Sequence, residues 1–175
     1  QTSHGRDRDE MAAAEAAERR GNFLFGHTLG GNDNGYGEIY LSTGTVNQDL
    51  AVSGTPQRVT GFDADGVGVG CTPTSVNDKI TVGVTGTYWV TARCSISGDA
   101  AGYFVGVVQE ASGTPTGPGP GMSASLAASE VKAVIAQGYM TLTAGNDLTV
   151  YMASDGPDHT SVDVGDLGLT LMRVA

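Results

Sequence analysis

Apolar and polar residues alternate along most of the chain. In residues 80 to 97, "ITVGVTGTYWVTARCSIS", the apolar series is Ile80, Val82 and Val84, then Tyr88, Val90, Ala92, Cys94 and Ile96. Between the latter fall Thr87, Thr91, Arg93, Ser95 and Ser97. A period of two puts one face of a strand in a core and the other toward solvent. Read this way, the sequence predicts strands over 38–43, 48–52, 57–61, 67–71, 79–84, 87–97, 102–110, 131–143, 147–153 and 167–174. Thr85-Gly86 reads as the join between two of them. "AASEVKAVIAQ" (127 to 137) would accept a helical turn, but Val131, Ala133 and Ile135 alternate toward one face, so most of it reads as strand. "ASGTPTGPGPGMSA" (111 to 124) reads as a Pro/Gly loop, because proline cannot donate to a ladder. Many short strands without long helical periods predict an antiparallel sandwich or barrel.

The alternation fails in a telling way at three places. Trp89, the only tryptophan, sits on the polar side of its strand. Tyr151 is out of phase with Leu148, Val150 and Met152. Leu167, Leu169 and Leu171 alternate with Gly168, Thr170 and Met172, so the last strand looks apolar on both sides. Strands with two apolar faces need cover on both.

Residues 1–37 differ in kind from the rest. "DRDEMAAAEAAERRG" offers Asp7 and Asp9 as N-caps, acids early, Arg19 and Arg20 late and Gly21 as a stop, which predicts a helix over about 7–20. Met11 is its one large apolar residue, so the expected helix is an arm that orders by docking on a partner. Its docking residues would be Arg6, Arg8, Met11, Arg19 and Arg20, together with the apolar knot Phe23, Leu24 and Phe25 of the connector. The expected organisation is an arm and linker over 1–37 and a single β domain over 38–175.

Charge and composition narrow the function. The net charge is −10; the first 21 residues hold four basic and five acidic residues, leaving −9 for the remainder. Nucleic-acid binding needs a basic patch and is not expected. No stretch of ~18 apolar residues is present, so no membrane-spanning helix is expected. The 27 glycines lack a collagen period and fit turns and bulges. Cys71 and Cys94 are expected as two buried thiols in neighbouring strands, with a disulfide as the alternative. The absence of a sequon and of a signal-peptide core favours an intracellular origin.

Catalytic chemistry is missing. His4, His27 and His159 have no metal-ligand spacing, and no nucleophile elbow, P-loop or dinucleotide fingerprint occurs. "GVGVG" (66 to 70) has no following helix and reads as strand glycines. "FDADG" (62 to 66) starts like a calcium loop, but Thr74 stands where the closing acid belongs, so it reads as a turn. Asp155, Asp158, Asp163 and Asp166 are expected in one solvated loop, with a weak oxygen-ligand site as the alternative. No enzyme activity, cofactor or metal is expected.

The order of the segments resembles a family. "GTYWV" (86 to 90) after "ITVGVT" resembles the Gly-x-Tyr strand of the tumour-necrosis-factor-like jelly roll, the fold of the globular head of the first complement component. "LTAGNDLTVYMAS" (142 to 154) is similar to its L-x-x-G-D-x-V-x-L strand, with Asn146 inserted, and "VGDLGLTLMRVA" (164 to 175) resembles its last strand. The resemblance covers roughly residues 38 to 175. Val90 stands where the family usually has an aromatic, and the final strand lacks its usual aromatic, which indicates a distant relative. It implies an all-β, antiparallel jelly-roll sandwich with a short N-terminal helical arm, assembled as a homotrimer. Trp89, Tyr151, Leu167, Leu169 and Leu171 would then meet at the threefold interface.

Several phage decoration proteins share this trimeric fold. With the docking arm and the missing chemistry, the resemblance implies a structural virion protein. It would be a decoration (cement) protein on the outer capsid surface of a phage or virus, with the major capsid protein as partner. The alternatives are a trimeric fibre or spike tip that recognises a host glycan or protein, and a secreted ligand of the complement-head type.

Overall fold

The computed structural model describes residues 34–175. The expectations placed on the arm, including the helix over 7–20, Arg6, Arg8, Met11, Arg19, Arg20, Phe23, Leu24 and Phe25, lie outside the described residues. Within them are twelve strands: β1 Tyr36–Tyr40, β2 Thr45–Leu50, β3 Gln57–Arg58, β4 Ala64–Asp65, β5 Cys71–Thr74, β6 Lys79–Val82, β7 Gly86–Gly98, β8 Gly102–Ala111, β9 Thr114–Ser125, β10 Val131–Leu142, β11 Asp147–Ser154 and β12 Thr160–Arg173. One short 3-10 turn, Ser75–Asn77, joins β5 to β6.

The strands form two six-stranded sheets. The first runs β10-β7-β12-β1-β4, with β2 also on β12; the second runs β5-β6-β11-β8-β9, with β3 also on β11. Every named pairing is antiparallel. The core lies between the sheets, and the period-two residues fill it as expected: Tyr88, Val90, Ala92, Cys94 and Ile96 of β7 are buried, as are Leu148, Val150 and Met152 of β11. Removing this much apolar surface from water, at about 25 cal/mol per Å2, is the main force holding the sheets together.

Four expectations are corrected. Residues 111 to 124 are not a loop: Ser112 and Gly113, both at positive φ, make a two-residue turn, and the chain returns as β9 alongside β8. Positive φ at both positions is what a type I′ hairpin requires. β9 lies at the edge of its sheet, where a missing proline N–H costs no ladder bond on the outer side, and bulges at Gly119-Pro120 and Thr116 absorb the misfit. The acidic segment is not one loop either, since Asp163 and Asp166 belong to β12, which begins at Thr160. The break after "ITVGVT" does not close a hairpin but carries the chain from β6 in the second sheet to β7 in the first. Cys71 and Cys94 therefore lie on different sheets; both are free thiols, and Cys71 is only half-buried.

β12 serves two partners in succession. Its first half pairs with β2 and its second with β1, across an irregularity between Gly165 and Gly168 where Asp166 has φ 45. The chain enters at the other end of β1, where Gly35 is held by the Arg173 N–H donating to its carbonyl at 2.6 Å. A Cβ on Gly35 would fall 2.4 Å from the Tyr88 Oη, so only glycine fits there.

Candidate functional site

The outer face of the first sheet carries what the alternation left unexplained. Trp89 is opposite Tyr139 on one side and Met172 on the other; Met172 is opposite Tyr36, and Tyr36 forms an isolated bridge to Val69. Paired residues on adjacent antiparallel strands project from the same face. The result is one row of apolar and aromatic side chains crossing the sheet: Tyr139, Trp89, Met172, Tyr36, Val69. The Trp89 and Tyr139 rings meet edge to face at 4.8 Å, with 74° between planes, a favoured aromatic geometry. Tyr139 is nevertheless 68% exposed and Met172 50%.

Two further rows extend the patch. Gln137, Thr91, Thr170 and Glu38 form the second, and Ile135, Arg93, Gly168 and Tyr40 the third. On β10 the series Val131, Ala133, Ile135 does share one face, and that face is the outer one: Val131 is 67% exposed. Across these three rows Glu38 and Arg93 are the only charged residues. An exposed sheet face with this composition has the chemistry of an interface core ringed by polar residues.

Of the five residues expected at a trimer face, Trp89 alone lies on this surface. Leu167, Leu169 and Leu171 are corrected: all three are at most 1% exposed within the protomer, because their side of β12 points into the sandwich. Met172, the residue between them and the C-terminus, is the one that points out. Tyr151 sits on the other sheet, in β11, paired with Arg58 and Gly106. Its hydroxyl donates to Glu110 Oε1 at 2.7 Å, and Thr149 donates to the same oxygen at 3.2 Å. Arg58 Nη1 lies 3.6 Å from the other Glu110 oxygen, and Glu110 is 2% exposed. Burial, then the Glu110 carboxylate, raises the Tyr151 phenol above its usual range. Here Tyr151 closes a polar knot on Glu110 within the second sheet.

Several of the remaining carboxylates hold turns and strand pairs together. Asp63 accepts from both the N–H and hydroxyl of Ser42, Asp65 from the Ser75 N–H, and Asp78 from Gly61 and Phe62. Asp158 accepts from the Ser53 N–H, Asp163 from Asn47, and His159 contacts the exposed Asp49. Among the described residues no group of three or more His, Cys, Asp or Glu could hold a metal ion. Burial pushes Cys94 up to about 12 and raises Cys71 as well, so neither thiol is activated as a nucleophile.

No protein-family model matches the chain, and no curated protein does. Solved structures do. A TNF-like Eiger domain from S. frugiperda superposes with a TM-score of 0.62 over 81% of this chain and 93% of its own, at 13% identity. Murine APRIL gives 0.56 over 81% and 100%, at 13% identity. The globular domain of zebrafish complement 1qA gives 0.57 over 81% and 98%, at 12% identity. The fold is the tumour-necrosis-factor-like jelly roll. In this jelly roll, "GTYWV" opens β7, "LTAGNDLTVYMAS" ends β10 and forms β11, and "VGDLGLTLMRVA" is most of β12, so the three resembling segments are the central strands of the two sheets. The outward row of aromatics belongs to the β7–β12–β1 sheet of that jelly roll.

Proposed function

We propose that this protein is a homotrimeric structural protein, a decoration protein that sits on the outer surface of a phage or virus capsid and reinforces the shell. The observation that carries the trimer is the row Tyr139–Trp89–Met172–Tyr36–Val69, an apolar stripe on the outer sheet face in which Tyr139, Met172 and Val69 are exposed. The tumour-necrosis-factor-like fold supports threefold packing of this sheet. The capsid assignment rests on the sequence of residues 1–33, a segment composed to dock on a partner, and on carboxylates that are used for turns instead of chemistry. Three such arms on one trimer turn weak contacts into avidity for a lattice.

The trimer is tested by sedimentation and light scattering of the native protein against Tyr139→Lys and Met172→Asp, two exposed positions that leave the core untouched. The native protein is expected to run as a trimer at micromolar concentration and each variant as a folded monomer. A native monomer would overturn the reading. Shell docking is tested by proteolysis: residues 1–20 are expected to be cut in the free protein and protected on the shell, and removal of 1–33 should leave the trimer intact but unable to bind.

A further inference from the structure

A second surface lies on the opposite sheet. Phe104 of β8 points outward and is 41% exposed. Its cross-strand partners are Ala153 and Ser123, and its same-face neighbours along β8 are Gly102 and Gly106. The far end of the ring rests on Gly106 and Gly121: a Cβ at either would fall within 2.7 Å of ring atoms. The sequence thus clears the sheet beneath one aromatic, using glycine at Gly106 of β8 and Gly121 of β9, while Gly102 makes room for the Asp155 carboxylate.

Phe104 lines a hollow of about 490 Å3, bounded also by Pro56, Ser123, Ser125 and Asp155. That volume falls in the ~300–1,000 Å3 range of small-molecule sites, and an apolar platform with a few placed polar groups is their usual chemistry. Asp155 is exposed; its Oδ1 accepts from the Gly102 N–H, which fixes the carboxylate at the rim and leaves Oδ2 as an acceptor. The exposed Ser123 and Ser125 hydroxyls can both donate and accept. No Lys or Arg lines the hollow, and the whole chain carries −10.

We propose that this hollow binds an uncharged saccharide, one apolar sugar face resting on Phe104 and its hydroxyls bonded to Asp155, Ser123 and Ser125. Neutrality follows from the charge: a carboxylate at the rim of an acidic protein repels anions but accepts from hydroxyls. A peptide is less well served, since the groups offered are short hydroxyls and one carboxylate around a single ring. The site is on the sheet opposite Trp89 and its binding test does not depend on the trimer; three copies in a trimer would raise weak affinity through avidity.

The test is an amide NMR titration of the full chain with the methyl glycosides of glucose, galactose, mannose and N-acetylglucosamine, with N-acetylneuraminic acid as the anionic control. At least one neutral glycoside is expected to give saturable shifts at Gly102, Phe104, Gly121, Ser123 and Asp155, with Trp89 and Tyr139 unmoved and the anionic sugar silent. Phe104→Leu keeps an apolar cover over the glycines, and it is expected to weaken binding about tenfold. Asp155→Asn keeps an acceptor for the Gly102 N–H and is expected to weaken it severalfold. Absence of shifts from all four neutral sugars overturns the proposal, as does native-like binding by Phe104→Leu, which would make the ring a cover for the sheet backbone and nothing more. Equal binding of the anionic sugar overturns the assigned ligand class.

Discussion

Tyr88 shows how one residue ties the sandwich together. It is fully buried, its hydroxyl donates to the Val84 carbonyl at 2.6 Å, and its ring end fills the space that Gly35 leaves. Burial, reinforced by the nearby Cys71 thiol, pushes its phenol up to about 12, and burial alone does the same to Cys94. Both groups are therefore held protonated in the folded chain but ionise at ordinary values, 10.0 and 9.0, when unfolded. The stability they contribute is full below about pH 9 and is lost as pH climbs toward 12. Melting temperature is expected to fall over that window, and Tyr88→Phe should flatten part of the fall while costing about 1 kcal/mol at neutral pH. A melting temperature constant to pH 12 would contradict this account. Glu110 makes the complementary case. Glu110→Ala strips the acceptor from Tyr151, Thr149 and Arg58 together, and is expected to cost on the order of 3 kcal/mol in urea unfolding, with Glu110→Gln costing less.

At the scale of elements, the strands that could be read from the chain are those whose two faces differ chemically. β7 and β11 were legible because a core-facing Val or Tyr alternates with Thr or Ser. β9 was not, because its side chains are mostly Gly, Pro, Ser and Thr, and its strand character comes from β8 beside it and from the Ser112-Gly113 turn. The functional face was only partly legible for a related reason. Trp89 stands out within its own strand, but Tyr139, Met172, Tyr36 and Val69 join it through registers between distant segments, and Tyr36 lay in what read as linker. The last-strand leucines misled because an all-apolar face looks the same in sequence whether it meets the protomer's core or a neighbour. The prolines of β9 have a testable role: replacing Pro115, Pro118 and Pro120 by Thr restores edge donors, and light scattering is expected to show concentration-dependent association beyond the native size. In β12, Asp166→Val forces a β-branched residue to φ 45 and should cost roughly 1–3 kcal/mol, whereas Asp166→Gly should be tolerated.

For the whole molecule, the two sheets divide the labour. One turns an aromatic stripe outward, and the other a glycine-cleared platform. If the first face closes a trimer, folding and assembly are linked, and the melting temperature is expected to rise with protein concentration, a dependence that Tyr139→Lys should abolish. The proximity of Gly35 to the last strand has a practical outcome. Thr87 donates its N–H to the Ala175 carbonyl at 2.8 Å while Arg173 holds Gly35, so the described body starts and finishes at one corner. A brief flexible splice across that corner would make a ring of the β domain, and the exposed Ser112-Gly113 tip offers a place to cut it open again. A circular permutant of that kind would carry any fused passenger on the second sheet at the same rim as the closed corner, since Glu110 pairs with Asp147 there and β7 starts at Gly86 beside Ala175.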